Sequence, residues 1–253
     1  MVFEIIIGIF IVYVFLFLIS VLIKDNSIVD IYWGIGFSQI GVHLLVLTRN
    51  FSLANFVFLL IVILWSLRIS THIFQKKIIK KGEDKRYAVY RKNWKKFYLR
   101  SFFQVFMLQG ILMLIVALPV FIYFSQATNQ INFIFLIGAF TSIIGLVYET
   151  IADKQLKDFI KNKKIKGEIM KKGLWKYSRH PNYFGEIVFW LGLSIIALQV
   201  SPIALLGFLT ITILLKYVSG VPLAERNYEN NREFQEYKKI TPPLIPNIVF
   251  YKK

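Results

Sequence analysis

The chain has 253 residues, 56% of them hydrophobic and gathered in long blocks, and a formal net charge of +17. Soluble domains of this length are not so apolar, which places the chain among polytopic α-helical membrane proteins. Cysteine is absent, so disulfides, thiolate metal sites and cysteine nucleophiles are excluded. Nucleic-acid binding is one reading of such a charge, but basic loops beside membrane spans account for it without a nucleic-acid partner.

Val2 to Ile23 reads as a first span, charged only at Glu4. It lacks a basic leader and a small-residue cleavage site, so it is expected to be a permanent helix rather than a removable signal peptide. After the turn Lys24-Asp25-Asn26, Ser27 to Thr48 is the second span, with VDIYWGIGF near its start. Phe51 to about Phe74 is the third and carries Trp65, Arg68 and His72.

Residues 75–100 form a polar loop with eleven basic residues against Glu83 and Asp84. Its interleaved Tyr87, Tyr90, Trp94, Phe97 and Tyr98 predict a helix lying on the lipid surface. Ser101 to Ser125 is the fourth span and Ile131 to Ala152 the fifth, with Glu149 near its end. A second basic loop, 153–172, leads to GLWKYSRHPNYFGE at 173–186. Pro181 suits a first helical turn and not a helix interior, so Arg179 and His180 are read as the last loop residues before a sixth span, Asn182 to Val200. Ile203 to Val221 is the seventh. A polar tail follows, with PPLIP and a final aromatic patch, Phe250-Tyr251.

Each run is about 20 residues, enough to cross roughly 30 Å of hydrocarbon. The basic loops fall on one side and the short, nearly uncharged turns on the other. The positive-inside rule then puts the amino terminus outside and the carboxyl terminus in the cytoplasm. No internal repeat is visible, and the chain reads as one transmembrane domain with an amino-terminal half (1–125) and a carboxyl-terminal half (131–253).

The polar cluster of 173–186 is the leading functional candidate. Asn182 and Glu186 share a helix face, and an ionisable residue at membrane depth marks a site by default. Glu149 and Asp153 share a face in the same way, at the cytoplasmic end of span five. Carboxylates there can accept hydrogen bonds from ribose hydroxyls, and nearby arginine can pair with phosphate. No soluble-type dinucleotide fingerprint is present, because GIGFSQ at 34–39 lacks the third glycine. His43, His72 and His180 are too scattered for a zinc site, and no metal is expected.

The run Ser-Arg-His-Pro-Asn-Tyr-Phe-Gly-Glu at 178–186, with VDIYWGIGF at 29–37, GEDKRY at 82–87, FQVF at 103–106, SGVPL at 219–223 and FQEY at 234–237, resembles the membrane steroid 5-alpha-reductase superfamily, and most closely a bacterial group within it. For that group the resemblance spans nearly the whole chain; for the characterised reductases it covers about 145–250. It implies a bundle of seven transmembrane helices in a bacterial cytoplasmic membrane, with the site facing the cytoplasm. The implied activity is reduction, by NADPH, of a carbon–carbon double bond conjugated to a carbonyl in a lipid-like substrate drawn from the bilayer. By position, it implies that Glu149 and Asp153 meet the adenosine ribose region and that Tyr177 meets the pyrophosphate. Asn182 and Glu186 would lie near the nicotinamide amide, and Arg226 and Tyr237 in a tail segment closing over the nucleotide. Arg179, His180 and Tyr183 complete the expected cofactor-binding set.

The Gln-Glu-Leu-Pro type motif of the steroid reductases is absent, which leaves the proton donor open. Hydride transfer to an enone leaves an enolate, so a donor is required at the carbonyl oxygen; Asp30, Tyr32, Tyr87 and Glu186 are the catalytic candidates. Plainer roles exist for these residues: a helix cap for Asp30, an interfacial aromatic belt for Tyr32, a surface-helix aromatic for Tyr87. Snorkelling explains Arg68. The alternative enzyme class is an S-adenosylmethionine-dependent methyltransferase resembling the isoprenylcysteine and phospholipid methyltransferases, whose Arg-His-Pro-x-Tyr element and late acidic segment Arg179 to Tyr183 and Glu225 match. A third reading is a non-catalytic protein whose basic loops hold anionic lipid headgroups.

Overall fold

The computed structural model describes residues 2–80, 82–126, 130–163, 165 and 167–247. Lys81 of the first basic loop and the Phe250-Tyr251 patch lie outside them. Among the described residues the protein is helical throughout, without strands, and seven helices are long and apolar enough to cross a membrane. It is an integral membrane protein by that criterion. The chain divides into two compact units, Met1–Asn132 with Ala197–Leu206, and Phe133–Ile196 with Gly207–Lys253.

The first unit is built on helices α1 (Val2–Ile23), α2 (Ile28–Thr48) and α3 (Leu53–Lys80). Helix α1 turns Phe3, Phe10, Phe15 and Leu22 outward and buries Ile5, Ile9 and Tyr13, as a lipid-facing helix must. α2 and α3 form an antiparallel hairpin whose core is Phe37, Ile40 and Leu44 against Phe58, Val62 and Trp65. Phe37 meets Trp65 edge-to-face at 5.6 Å. The hairpin is close because Gly34 has no side chain: a Cβ there would come within 2.7 Å of the Ser66 carbonyl oxygen.

The first basic loop folds back as α4 (Lys85–Asn93), N-capped by Asp84, whose Oδ1 accepts from the Arg86 amide at 3.0 Å. Tyr90 and Trp94 stack at 4.4 Å. Tyr87, expected on the lipid surface, instead faces inward and is 3% exposed.

The fourth span is not the single helix expected from 101 to 125. α5 (Phe97–Ser101) passes into a π-helical turn, Phe102–Met107, and then into α6 (Leu108–Val116). The chain breaks at Ala117 and restarts as α7 (Leu118–Phe124). Pro119 is the cause: it has no amide hydrogen to give Ile115, and its ring clashes there, but it suits the first turn of a new helix.

The second unit is organised by α8 (Phe133–Asn162) and α9 (Pro181–Leu198). Gly138, Ser142, Gly145 and Glu149 lie at spacings of four, three and four, on one helical face. Gly185, Phe189, Gly192 and Ile196 repeat that spacing on α9. The two backbones touch: a Cβ on Gly145 would lie 2.6 Å from the Gly185 carbonyl oxygen, and one on Gly138 would lie 2.6 Å from that of Gly192. Ser142 Oγ donates to the Phe189 carbonyl at 3.1 Å. Small residues at a membrane-helix seam allow this approach, and dispersion together with the cross-helix hydrogen bond stabilises it.

The seventh span is interrupted as well. α10 (Leu205–Ile213) runs into a π-helical turn, Leu214–Val218, and the chain bends at Gly220 into the short α11 (Val221–Glu225). A Cβ on Gly220 would meet the Leu215 backbone at 2.7 Å. α12 (Arg232–Ile240) follows, N-capped by Asn231, whose Oδ1 accepts from the Phe234 amide at 2.9 Å. It packs Phe234 and Tyr237 against Ile169.

Candidate functional site

The α8–α9 seam sets the register that builds the site in the second unit. With Gly185 against Glu149, the next turn brings Asn182 to Asp153. Asn182 Nδ2 donates to Asp153 Oδ1 at 3.1 Å. An ionised carboxylate only accepts, so the amide must present its nitrogen to it and turn Oδ1 away. That oxygen is buried and has no hydrogen-bond partner among the described residues. Glu149, Asp153 and Glu186 are all buried beside the same seam. Three acids and an amide thus line a seam at which the two helix backbones touch.

Next to this seam, the loop before α9 is tied to the tail. Arg179 Nε donates to Glu225 Oε1 at 2.8 Å. Its Nη1 donates to the carbonyls of Thr241 and, at 3.3 Å, Lys238. The His180 ring places Nε2 at 3.0 Å from the same Glu225 oxygen, and Tyr183 stacks on that ring at 5.2 Å. All three charged or titratable groups are buried. Burial pushes the His180 pKa below its usual value; the neighbouring Glu225 pulls it back up and the Arg179 charge adds to the lowering. The ring is therefore neutral near pH 7 and must carry its proton on Nε2 to donate to the carboxylate.

The backbone joins in. The amides of Arg179 and His180 donate to the carbonyls of Pro242 and Pro243 at 2.9 and 3.1 Å, and the Asn247 amide donates to the Tyr177 carbonyl at 3.0 Å. Prolines can accept but not donate, so Pro242 and Pro243 serve this loop in one direction only. Tyr237 gives its phenolic proton to the Trp175 carbonyl, with that of Ser178 at 3.3 Å.

Beyond Asp153, α8 continues to Asn162 and forms one wall of an open groove of about 480 Å³, lined by Gln155, Phe159, Asn162, Lys163 and Lys172 among others. The acids Asp158 and Glu168 share that lining.

Residues 16–241 match the model of a family described as a protein of unknown function, DUF1295. The chain belongs to that family. DUF1295 falls in the steroid 5-alpha-reductase-like group, and the match takes in the α8–α9 seam, the loop before α9 and α12, ending just before the PPLIP segment. No curated protein and no solved structure matches the chain.

The expected cofactor-binding residues of this DUF1295 protein fall into two sets. Glu149, Asp153, Asn182 and Glu186 lie along the α8–α9 seam. Arg179, His180, Tyr183 and Tyr237 belong to the network that secures the tail. Tyr177 lends it a backbone carbonyl, and Arg226, at the start of a 3-10 turn, is exposed. Of the catalytic candidates, Glu186 is on the seam, whereas Asp30, Tyr32 and Tyr87 are in the first unit. There Tyr87 donates to Asp30 Oδ1 at 2.7 Å and Tyr32 to Gln39 Oε1 at 2.6 Å. Arg86 Nη2 pairs with Asp30 Oδ2 at 2.7 Å.

Two residues carry more than the sequence indicated. Glu225 holds both Arg179 and His180, and Gln109 joins Asp30 to Tyr87, as described below. For Glu225 the sequence offered only its match to the late acidic segment of the methyltransferases, with no partner attached, and for Gln109 it offered nothing.

Proposed function

We propose that this protein is a membrane-embedded, NADPH-dependent reductase of a carbon–carbon double bond conjugated to a carbonyl in a lipid-like substrate. The observation that carries the reading is the buried Oδ1 of Asn182, an acceptor with no partner among the described residues, in an amide whose Nδ2 is held by Asp153 at 3.1 Å. Such an oxygen suits a carboxamide N–H. Asn182 and Glu186 would hold the nicotinamide end, Glu149 and Asp153 the ribose hydroxyls, and the groove past Asp153 is large enough for a nucleotide half. NADPH, when bound, supplies the hydride. The chain's residues orient it, exclude water along the seam and keep the tail closed. In this reading the basic loops and the site face the cytoplasm and the amino terminus lies outside.

Titration of the purified protein with NADPH, followed by the nucleotide's fluorescence, tests this. Asn182→Ala and Glu186→Gln are each expected to weaken binding about ten-fold, as loss of a buried hydrogen bond does. Unchanged titrations in both variants would remove the assignment.

A second reading has one specific observation in its favour. Arg179, His180 and Glu225 converge within 3.0 Å, and these are the elements shared with S-adenosylmethionine-dependent membrane methyltransferases. Binding of S-adenosylmethionine without NADPH, lost in Glu225→Gln, would select it.

A further inference from the structure

The first unit contains a polar cluster, with the catalytic candidates Asp30 and Tyr87 among its members, to which the cofactor chemistry of the seam assigns no role. Asp30 opens α2, Tyr87 reaches it from α4, and Gln109 approaches from the start of α6. Gln109 Nε2 lies 3.2 Å from Asp30 Oδ1 and 3.3 Å from the Tyr87 oxygen. The Tyr87 proton goes to Asp30, one Gln109 amide hydrogen is shared between Asp30 Oδ1 and the Tyr87 oxygen, and Arg86 neutralises the other carboxylate oxygen.

The cluster also holds a buried acceptor. The carboxylate and the phenol oxygen fix the Gln109 amide with its nitrogen towards them, which turns Oε1 away. Oε1 is buried and without a partner among the described residues. Gln109 belongs to a membrane-spanning segment, Phe97–Val116, where an unmet carbonyl oxygen is costly. The π-helical turn Phe102–Met107 ends two residues before it; such turns shift the phase of every later side chain and recur at functional sites. On either side, Leu108 and Ile111 are 47% and 57% exposed, so the cluster borders the lipid-facing surface.

We infer that Asp30, Tyr87 and Gln109 form a second binding site, which takes the hydroxyl-bearing head of a lipid as hydrogen-bond donor to Gln109 Oε1. A hydroxyl finds its acceptor there, and its chain can extend along the outward-facing apolar residues of α6. The assignment is independent of the nucleotide chemistry proposed for the second unit.

The test compares 1-dodecanol with dodecyl methyl ether, which keeps the oxygen and the chain but has no donor. The full-length protein, in phosphatidylcholine nanodiscs without nucleotide, is titrated with each by calorimetry. The alcohol is expected to bind about ten-fold more tightly, one buried hydrogen bond's worth, and Gln109→Leu to abolish that preference with helix content retained. Equal affinities in the wild type would overturn the inference and leave Oε1 to a water molecule; so would a preference that survives Gln109→Leu. The wild-type comparison decides even where the variant does not fold.

Discussion

Glu225 receives the Arg179 guanidinium at 2.8 Å across 46 positions of chain, with both side chains buried. That pair closes the tail onto the loop that begins α9. The exposed Lys238 also approaches Glu225, at 3.3 Å, but an ion pair in contact with solvent adds little. The buried partner is different, because removing it strands a charge. Glu225→Gln is therefore expected to cost about 3 kcal/mol and to lower the thermal midpoint of the detergent-solubilised protein by several degrees. Replacing both Arg179 and Glu225 with leucine should cost less than Glu225→Gln alone, since no unpaired charge is then left. A double variant less stable than the single would show that the pair acts through more than its charges.

His180 gives this closure a pH dependence. Its folded-state pKa lies below the usual 6.5, burial being the main cause. Below about that pH the unfolded chain takes up the proton first, so stability falls as pH falls. The thermal midpoint should be flat from pH 7 to 8 and decline towards pH 5.5. In His180→Gln the decline should be shallower over the same window. Burial pushes the Asp25 carboxyl up, but Lys77 and Ser27 hold it below its usual 3.8, so it contributes only at more acidic pH. An identical slope in the variant would place the titrating group elsewhere.

The α8–α9 seam predicts a contrast between glycines. At Gly185 a Cβ would lie 2.7 Å from Glu149 Cβ, whereas at Gly8 nothing lies within 4 Å. Gly185→Ala should separate the helices, cost about 1–3 kcal/mol and disturb the Asn182–Asp153 pair one turn away, which on the proposed reductase reading weakens NADPH binding as well. Gly8→Ala should leave both unchanged or raise stability slightly, since alanine is the better helix former. Melting curves and NADPH titrations of the two variants, measured side by side, check this.

The spans themselves were legible in the sequence because hydrocarbon thickness dictates their length. Val2–Ile23 and Ile28–Thr48 fall within a residue of where hydropathy puts them. The break at Ala117 was legible in principle from Pro119, but uninterrupted apolarity masked it. Glu149, Asp153, Asn182 and Glu186 stood out as acids and an amide at membrane depth, by helical spacing alone. Their pairing did not, because nothing local says that Gly145 meets Gly185. The same holds for Glu225 and Gln109. Each derives its meaning from a partner dozens of positions away, and local periodicity contains no term for such a contact. Tyr87 was placed on the surface for a related reason: an aromatic among lysines reads as interfacial until Asp30 is known to be opposite it.

Orientation in the membrane is open to direct measurement, since the chain has no cysteine. In the proposed topology, 24–27, the α4 region and the loop before α9 share the cytoplasmic side, as the positive-inside rule leads one to expect of segments rich in lysine and arginine. A single cysteine at Lys92, exposed on α4, should react with a membrane-impermeant maleimide only after the cells are opened. One at Phe51, 59% exposed between α2 and α3, should react in intact cells. The reverse pattern would turn the molecule over and move its acidic seam to the far side, where cytoplasmic NADPH does not reach; labelling of both from outside would remove one of the seven crossings.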